Sequence, residues 1–285
     1  MAITKYSDIS AYINTIYERS LFVVRDMNLM SGLVTNYSAQ GWMARTLSTR
    51  PQLTAETVAD GVDYSNPQSF GKSTVGTLTP QEAIAQVILT DRNVETDPDG
   101  SRNDAAMELG MTIASKIDTD LCSVFDSFAT DKGDGAGNTA TIANFGAAVA
   151  VVRNNMKRGG QVFAVFHPYH WHDIWVELGQ PAATYANMAD LTSQAMRDYY
   201  VGSLLGIQQI YTSSNVTDLG GDDFVSGVFA REAIALDTRR AYRLEPERDA
   251  SLRAWELNAT AGYAYGLGPR PTFGVGFTAD AAEPS

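Results

Sequence analysis

His167, His170 and His172 are the only histidines in the chain, and they fall within six residues of one another. Imidazoles that close together invite a metal, because zinc is commonly held by histidine nitrogens. The geometry argues otherwise. With Pro168 opening a helix, His170 and His172 lie about 200° apart around its axis and share no ligand face. Trp171, Ile174, Trp175 and Leu178 read as the buried stripe of that helix, which leaves His170 with Asp173 and Glu177 on a solvated polar side. A metal-dependent hydrolase centred on His167 to Asp173 is therefore the weaker reading, and no metal is expected.

Other stretches carry pieces of chemical motifs. Phe70-Gly71-Lys72-Ser73-Thr74 ends like a phosphate-binding loop, but the motif needs glycine five residues before Gly71, where Asn66 stands. Asp91, Asn93 and Glu95 are spaced like calcium ligands. The loop's sixth position is Thr96 in place of glycine, and its twelfth is Arg102 in place of glutamate. Gly133 to Gly137 lacks the flanking strand and helix of a dinucleotide fingerprint. Cys122 falls in a helical apolar stripe and reads as a buried, inert thiol. No catalytic residue and no cofactor is expected, so the chain does not read as an enzyme.

The elements around these residues are more informative. Of 285 residues 44% are hydrophobic, enough for a sizeable core, and the formal net charge is −12. Affinity resting on phosphates would need a dense basic patch. The one cluster, Arg239, Arg240, Arg243 and Arg248, is interleaved with Glu245, Glu247 and Asp249 and reads as an ion-paired surface. A single cysteine excludes a disulfide framework. Met1 to Asp8 lacks the pattern of a signal peptide, and the longest apolar run, Phe145 to Val152, is far short of the ~18 residues of a membrane span. A soluble, cytoplasmic chain is expected.

An amphipathic helix is expected over 8–27. Residues 36–83 are different: only 11 of 48 are large and apolar, the pattern of an extended two-stranded loop with little core of its own. Asp97-Pro98-Asp99-Gly100 marks a turn, and Ser101 with Asp104 resembles a capping box. Ala106, Gly110, Ile113, Ile117, Leu121, Val124 and Phe128 then recur every three or four residues, predicting a helix over 102–128. Further helices are expected from Ile142 to Met156, ended by Gly159-Gly160, and over 169–178 and 184–205. Strands are expected at 161–166, 208–212, 227–236 and, by strict alternation, from Ala254 to Tyr265. The fold class is α+β.

This order of parts resembles the major capsid proteins of tailed phages, the Hong Kong 97-like shell fold. Gln161-Val-Phe-Ala-Val-Phe-His-Pro168, Gly206-Ile-Gln-Gln-Ile-Tyr-Thr-Ser-Ser214 and Gly227-Val-Phe-Ala-Arg-Glu-Ala-Ile-Ala-Leu236 carry the likeness in sequence. The resemblance implies an N-terminal arm at 1–35, an extended β-hairpin loop at 36–95 and a spine helix at 102–128. It further implies a peripheral domain from 96–140 with 238–285 and an axial domain at 141–237. It implies a virion shell of pentamers and hexamers assembled in the host cytoplasm, with separate scaffolding, portal and cement proteins. Packaged DNA would be contacted weakly and non-specifically, since an acidic wall repels phosphates. An encapsulin-type nanocompartment shell uses the same fold and is the alternative.

Intersubunit contacts are expected from Trp42, Phe70, Lys72 and Leu78 in the loop and from Ile13, Ile16 and Tyr17 in the arm. Some members of the family join a loop lysine to an asparagine of another subunit, and Lys72 is the only lysine between Lys5 and Lys116. No motif identifies an acceptor or a catalysing carboxylate, so Lys72 reads as an intersubunit ion-pair partner.

Overall fold

The structure, a computed structural model, describes residues 29–51, 53–96, 100–157, 159–179, 204–205, 207 and 209–283. Ile13, Ile16, Tyr17 and the helix expected over 8–27 lie outside the described residues. So do Asp97 to Asp99, the side chains of Ser101 and Asp104, and nearly all of 184–205. In chain order the first elements are α1 (Met30–Leu33), β1 (Thr35–Ser38), β2 (Arg45–Thr49), β3 (Ser73–Leu78), β4 (Gln81–Thr90) and α2 (Asp91–Thr96). Then come α3 (Gly100–Cys122), tightening into a 3-10 turn (Ser123–Ser127), α4 (Ile142–Met156), β5 (Val162–Phe166) and α5 (Pro168–Gly179). The remainder is β6 (Gln209–Thr212), β7 (Thr217–Gly220), β8 (Asp223–Ala230), β9 (Ile234–Asp249), β10 (Ala254–Leu267) and β11 (Gly274–Asp280).

The expected stripe places α3 against a four-stranded sheet. Its 23 residues span about 35 Å at 1.5 Å per residue. Leu109, Ile113 and Leu121 on it, and Val124 in the 3-10 turn that follows, are buried with Leu257, Ala259, Ala261 and Tyr263 of β10. The strand order is β1-β9-β10-β4, with β1 parallel to β9 and the other neighbours antiparallel. Asp118 on α3 accepts the backbone N–H groups of Leu29 and Met30 at 3.2 and 3.0 Å, fixing the start of α1 to the long helix. Burial pushes this carboxyl up to about 6, against the two N–H bonds that favour its charge.

A second sheet runs β11-β8-β5-β6, with β7 pairing the start of β8. All five residues of β5 are buried, as a continuous apolar run bounded by turns predicts. Helices α4 and α5 cover this sheet, burying Phe145, Val149, Val152, Trp171 and Ile174. Thr141 caps α4 and is itself held by Asp134 at 2.9–3.2 Å. The helix ends at Met156 as expected, where Lys157 takes the left-handed conformation at φ 51° and closes the last turn.

The single strand expected over 227–236 is two strands in different sheets. A 3-10 turn at Arg231–Ala233 ends β8 in the second sheet and starts β9 in the first. Either half is apolar enough to be a buried strand, and the exposed Arg231-Glu232 pair between them is the mark of the corner. The sheets also divide the chain differently from the expected boundaries. β1 and β4, placed at the arm's end and within the 36–95 loop, belong to the first sheet, and β11, placed with 238–285, belongs to the second. Among the described residues, the strands that lie outside both sheets belong to 45–78.

The two sheets meet at the end of α3. Phe125 lies on Gly227 of β8 and Phe128 on Gly274 of β11; an added Cβ would stand 2.5 Å and 2.2 Å from those rings. Gly227→Val therefore forces Phe125 out of its seat. The expected cost is about 1–3 kcal/mol, read as a lower urea midpoint, and an unchanged midpoint refutes the packing role.

Candidate assembly surface

A hairpin is held at its base and free beyond it. β2 and β3 pair antiparallel from Arg45↔Leu78 to Thr49↔Ser73. Leu47 and Leu78 bury themselves on Ala235 and Ala264, on the face of the first sheet opposite α3. Arg45 then reaches Asp237, a β9 residue with no solvent exposure, at 2.7 Å, and Arg239 reaches the same carboxylate at 2.6 Å. A buried carboxylate has to be paired, so this pair of arginines fixes where the hairpin leaves the sheet.

Beyond Thr49 the described residues have no regular pairing until Ser73. Gln68 closes the loop by imitating a strand partner: its side chain accepts from Thr54 N–H at 2.9 Å and donates to Thr54 C=O at 2.6 Å. Leu53, Val58, Val62, Tyr64 and Phe70 are 41–61% exposed here. Single exposed apolar residues are ordinary, but five in one short segment form a patch that the hairpin cannot bury by itself.

The expected contact residues separate on this frame. Phe70 is half exposed with the Arg50 guanidinium 4.8 Å from its ring centroid, and Lys72 is exposed. Trp42 is 45% exposed; its other face lies on Gly262 and under the Arg240 guanidinium. Leu78 is a correction. It is 2% exposed and fills the hairpin's own base, so it cannot meet a neighbour. Ser73 opens a strand and not a helix, so the loop around Lys72 has no helix N-terminus to cradle phosphate.

Exposed residues that the sequence reading does not single out include Met43 and, on β4, Ile84 and Ile88, at 84%, 66% and 48% exposed. The signal for the pair was present. Ala83, Ala85, Val87 and Leu89 alternate with Glu82, Ile84, Gln86 and Ile88, so both faces of β4 carry large apolar groups, and β4 is an edge of its sheet. The arginine cluster is ion-paired as expected: Arg240 with Glu82, Arg243 with Glu245 and Arg248 with Asp91 through two bonds of 2.6 and 2.7 Å.

The histidines require a second correction. His170 is fully buried and not on a solvated face. Its Nε2 lies 2.9 Å from the Ala279 carbonyl, which can only accept, so Nε2 carries the proton. Nδ1 then accepts from the Ser226 hydroxyl at 2.8 Å, and that oxygen accepts His167 N–H at 3.0 Å. α5 is thus riveted to β8 and β11. Both ring nitrogens are used within the chain, and no group of three metal-ligating side chains occurs among the described residues. Cys122 is buried, and burial with the nearby Asp118 charge pushes its thiol far above the usual range.

No protein-family model and no curated relative matches the sequence. Solved structures do. The capsid of the cyanophage P-SCSP1u gives a TM-score of 0.67 at 10% identity, over 88% of this chain and 87% of that one. The acidic-stable capsid of Helicobacter pylori bacteriophage KHP30 gives 0.66 at 10% identity, over 87% and 88%. The chain has the Hong Kong 97-like capsid fold. A virus-like particle from Pyrococcus furiosus gives 0.53 at 10% identity, over 93% and 98%. In this capsid fold, nearly the whole length of the chain is shared, and 45–78 is the segment that stands off the sheets.

Two measurements check these anchors. Arg45→Met removes one charged partner of Asp237, which is worth about 1.5–3 kcal/mol. Amide exchange in β2 and β3 should accelerate about tenfold to hundredfold while the second sheet is unaffected; uniform exchange rates refute the anchor. Burial lowers the His170 pKa from 6.5 to about 4 despite Asp223 and Asp280 nearby. The unfolded chain therefore takes up a proton first as pH falls. The neutral-His170 contribution is complete above about pH 6.5 and is lost progressively down to about pH 4, totalling about 3 kcal/mol. His170→Gln should flatten that part of the stability-pH curve; an unchanged slope refutes it.

Proposed function

We propose that the chain is the major capsid protein of a tailed phage, assembling as pentamers and hexamers into an icosahedral shell around double-stranded DNA. The observation that carries this reading is a capsid fold over nearly the full chain together with a stand-off hairpin whose exposed apolar residues have no cover in the monomer. A shell supplies that cover. In it the arm is 1–35, the extended loop narrows to 45–78, and α3 is the spine. The peripheral lobe is the first sheet with α3, and the axial lobe is the second sheet with α4 and α5. The reading is of a structural protein, not an enzyme.

Each subunit would touch several neighbours at once, so weak contacts add to an assembly that is hard to dismantle one member at a time. Closed symmetry ends growth. Scaffolding, portal and cement functions belong to separate proteins in this reading, and the net charge of −12 suits weak, non-specific contact with packaged DNA. Assembly would take place in the host cytoplasm and the product would reside in the virion. The likeness to the Pyrococcus furiosus particle favours a second reading, an encapsulin-type nanocompartment shell. A cargo enzyme co-purifying with the particles in place of DNA would select it.

Electron microscopy of the expressed chain, alone and with a candidate scaffold, should show closed shells. Joining Arg50 to Lys72 through a short Gly-Ser turn leaves the buried base intact and should yield folded protein that makes no shells. Shells formed by the shortened chain refute the role of the hairpin.

A further inference from the structure

The first sheet ends on β4, and among the described residues no strand pairs with its outer edge. Asp91 N–H donates to Arg253 C=O at 2.9 Å, and from Thr90 to Gln81 the register with β10 runs without a shift. Successive residues of a strand turn their backbone groups to opposite sides, so Glu82, Ile84, Gln86 and Ile88 direct N–H and C=O to the open edge. Proteins usually blunt such an edge with charge, proline or a bulge. Ala83 to Leu89 has none of these, and Ile84 and Ile88 are exposed on its outer face.

The strand is also its own complement. With an antiparallel copy centred at Gln86, Ile84 comes opposite the partner's Ile88 and Gln86 opposite the partner's Gln86. Gln86 gives one amide hydrogen to Glu256 at 3.1 Å, which leaves its carbonyl oxygen and second hydrogen for its counterpart. On the face toward α3, Ala83 meets the partner's Leu89 and Ala85 meets the partner's Val87, small opposite large. The acids at the two ends of the run, Glu82 and Asp91, are ion-paired with Arg240 and Arg248 at 2.7 and 2.6 Å. Neither brings uncompensated charge to the junction.

We propose that two copies of the chain join edge to edge through β4, antiparallel about a two-fold axis at Gln86. The two four-stranded sheets become one, with both α3 helices on the same face. A second copy is the occupant because the residues that fit this strand best are its own, read backwards. A slip of one residue would turn the isoleucines of one copy to the other face, so the register is specified. The contact is isologous and closes on itself at two copies. It uses no residue of 45–78 and goes beyond the shell reading, since two chains suffice for it.

The test is disulfide formation in the full chain, where Cys122 is buried and an introduced thiol is the accessible one. Gln86→Cys sets two Cα atoms about 5.5 Å apart at the axis, within disulfide reach, whereas Ile84→Cys sets them about 14 Å apart. Mild oxidation should link Gln86→Cys chains in pairs about tenfold faster than Ile84→Cys chains. In the Gln86→Cys background, Ile84→Lys with Ile88→Lys puts like charges opposite each other and should slow linking about tenfold. Ile84→Lys with Ile88→Glu puts unlike charges there and should keep the rate within about threefold. Both isoleucines are exposed, so these changes act on the contact and not on folding. Equal linking of the two cysteine variants, no linking of either, or charge pairs that behave alike overturns the contact. The readout is the same in free chains and in shells. Chains that link in pairs but never close into shells leave this contact standing and overturn the shell reading alone.

Discussion

The Asp237 carboxylate is removed from water, and the arrangement of the hairpin follows from how that charge is satisfied. A lone buried carboxylate would cost several kcal/mol, so it draws Arg239 from its own strand and Arg45 from the hairpin. Arg45 in turn lies 5.0 Å from the Tyr37 ring, and Arg239 faces the loop carbonyl of Gly41. β1, the 39–44 loop and the base of β2 are therefore set by one charge, while Leu47 and Leu78 pack nearby on Ala235 and Ala264. The length of polar chain beyond Thr49 can point outward only because this base is rigid.

The lobes are joined by a different device. Phe125 and Phe128 end the long helix by resting on glycines of β8 and β11, where any side chain would block them. The 3-10 turn at Arg231–Ala233 is the covalent counterpart, carrying the chain from one sheet to the other. The His170–Ser226 link then ties α5 to the same strands, so the second lobe is held to its helices by polar bonds as well as by packing.

Local periodicity was readable where one element has one buried face. The stripe through Ile113 and Leu121 located the long helix, and the run from Val162 to Phe166 located a central strand. Periodicity failed where tertiary context decides. Ala230 to Ile234 is apolar on both sides of a corner, and the exposed Arg231-Glu232 pair that marks the change of sheet is too short a break to stand out from an alternating strand. His170 was assigned to a polar face because its neighbours Asp173 and Glu177 are charged. Its actual partners, Ser226 and Ala279, lie 56 and 109 residues away. Leu78 looked like part of a solvated loop, because the alanines that bury it, Ala235 and Ala264, come from distant strands. The poverty of the hairpin in apolar residues is visible in composition, whereas the burial of its base on Ala235 and Ala264 exists only once distant strands are brought together.

Cys122 is the one cysteine of the chain, and its being alone gives the chain a built-in record of its own integrity. With 0% exposure and a thiol held protonated by burial, it cannot react with alkylating reagents while α3 stays on its sheet. One equivalent of label per chain thus counts molecules whose central layer has opened, in solution or inside a particle. The same isolation makes the folded state indifferent to the redox poise of its surroundings, since no disulfide can form among natural residues without unfolding two chains first.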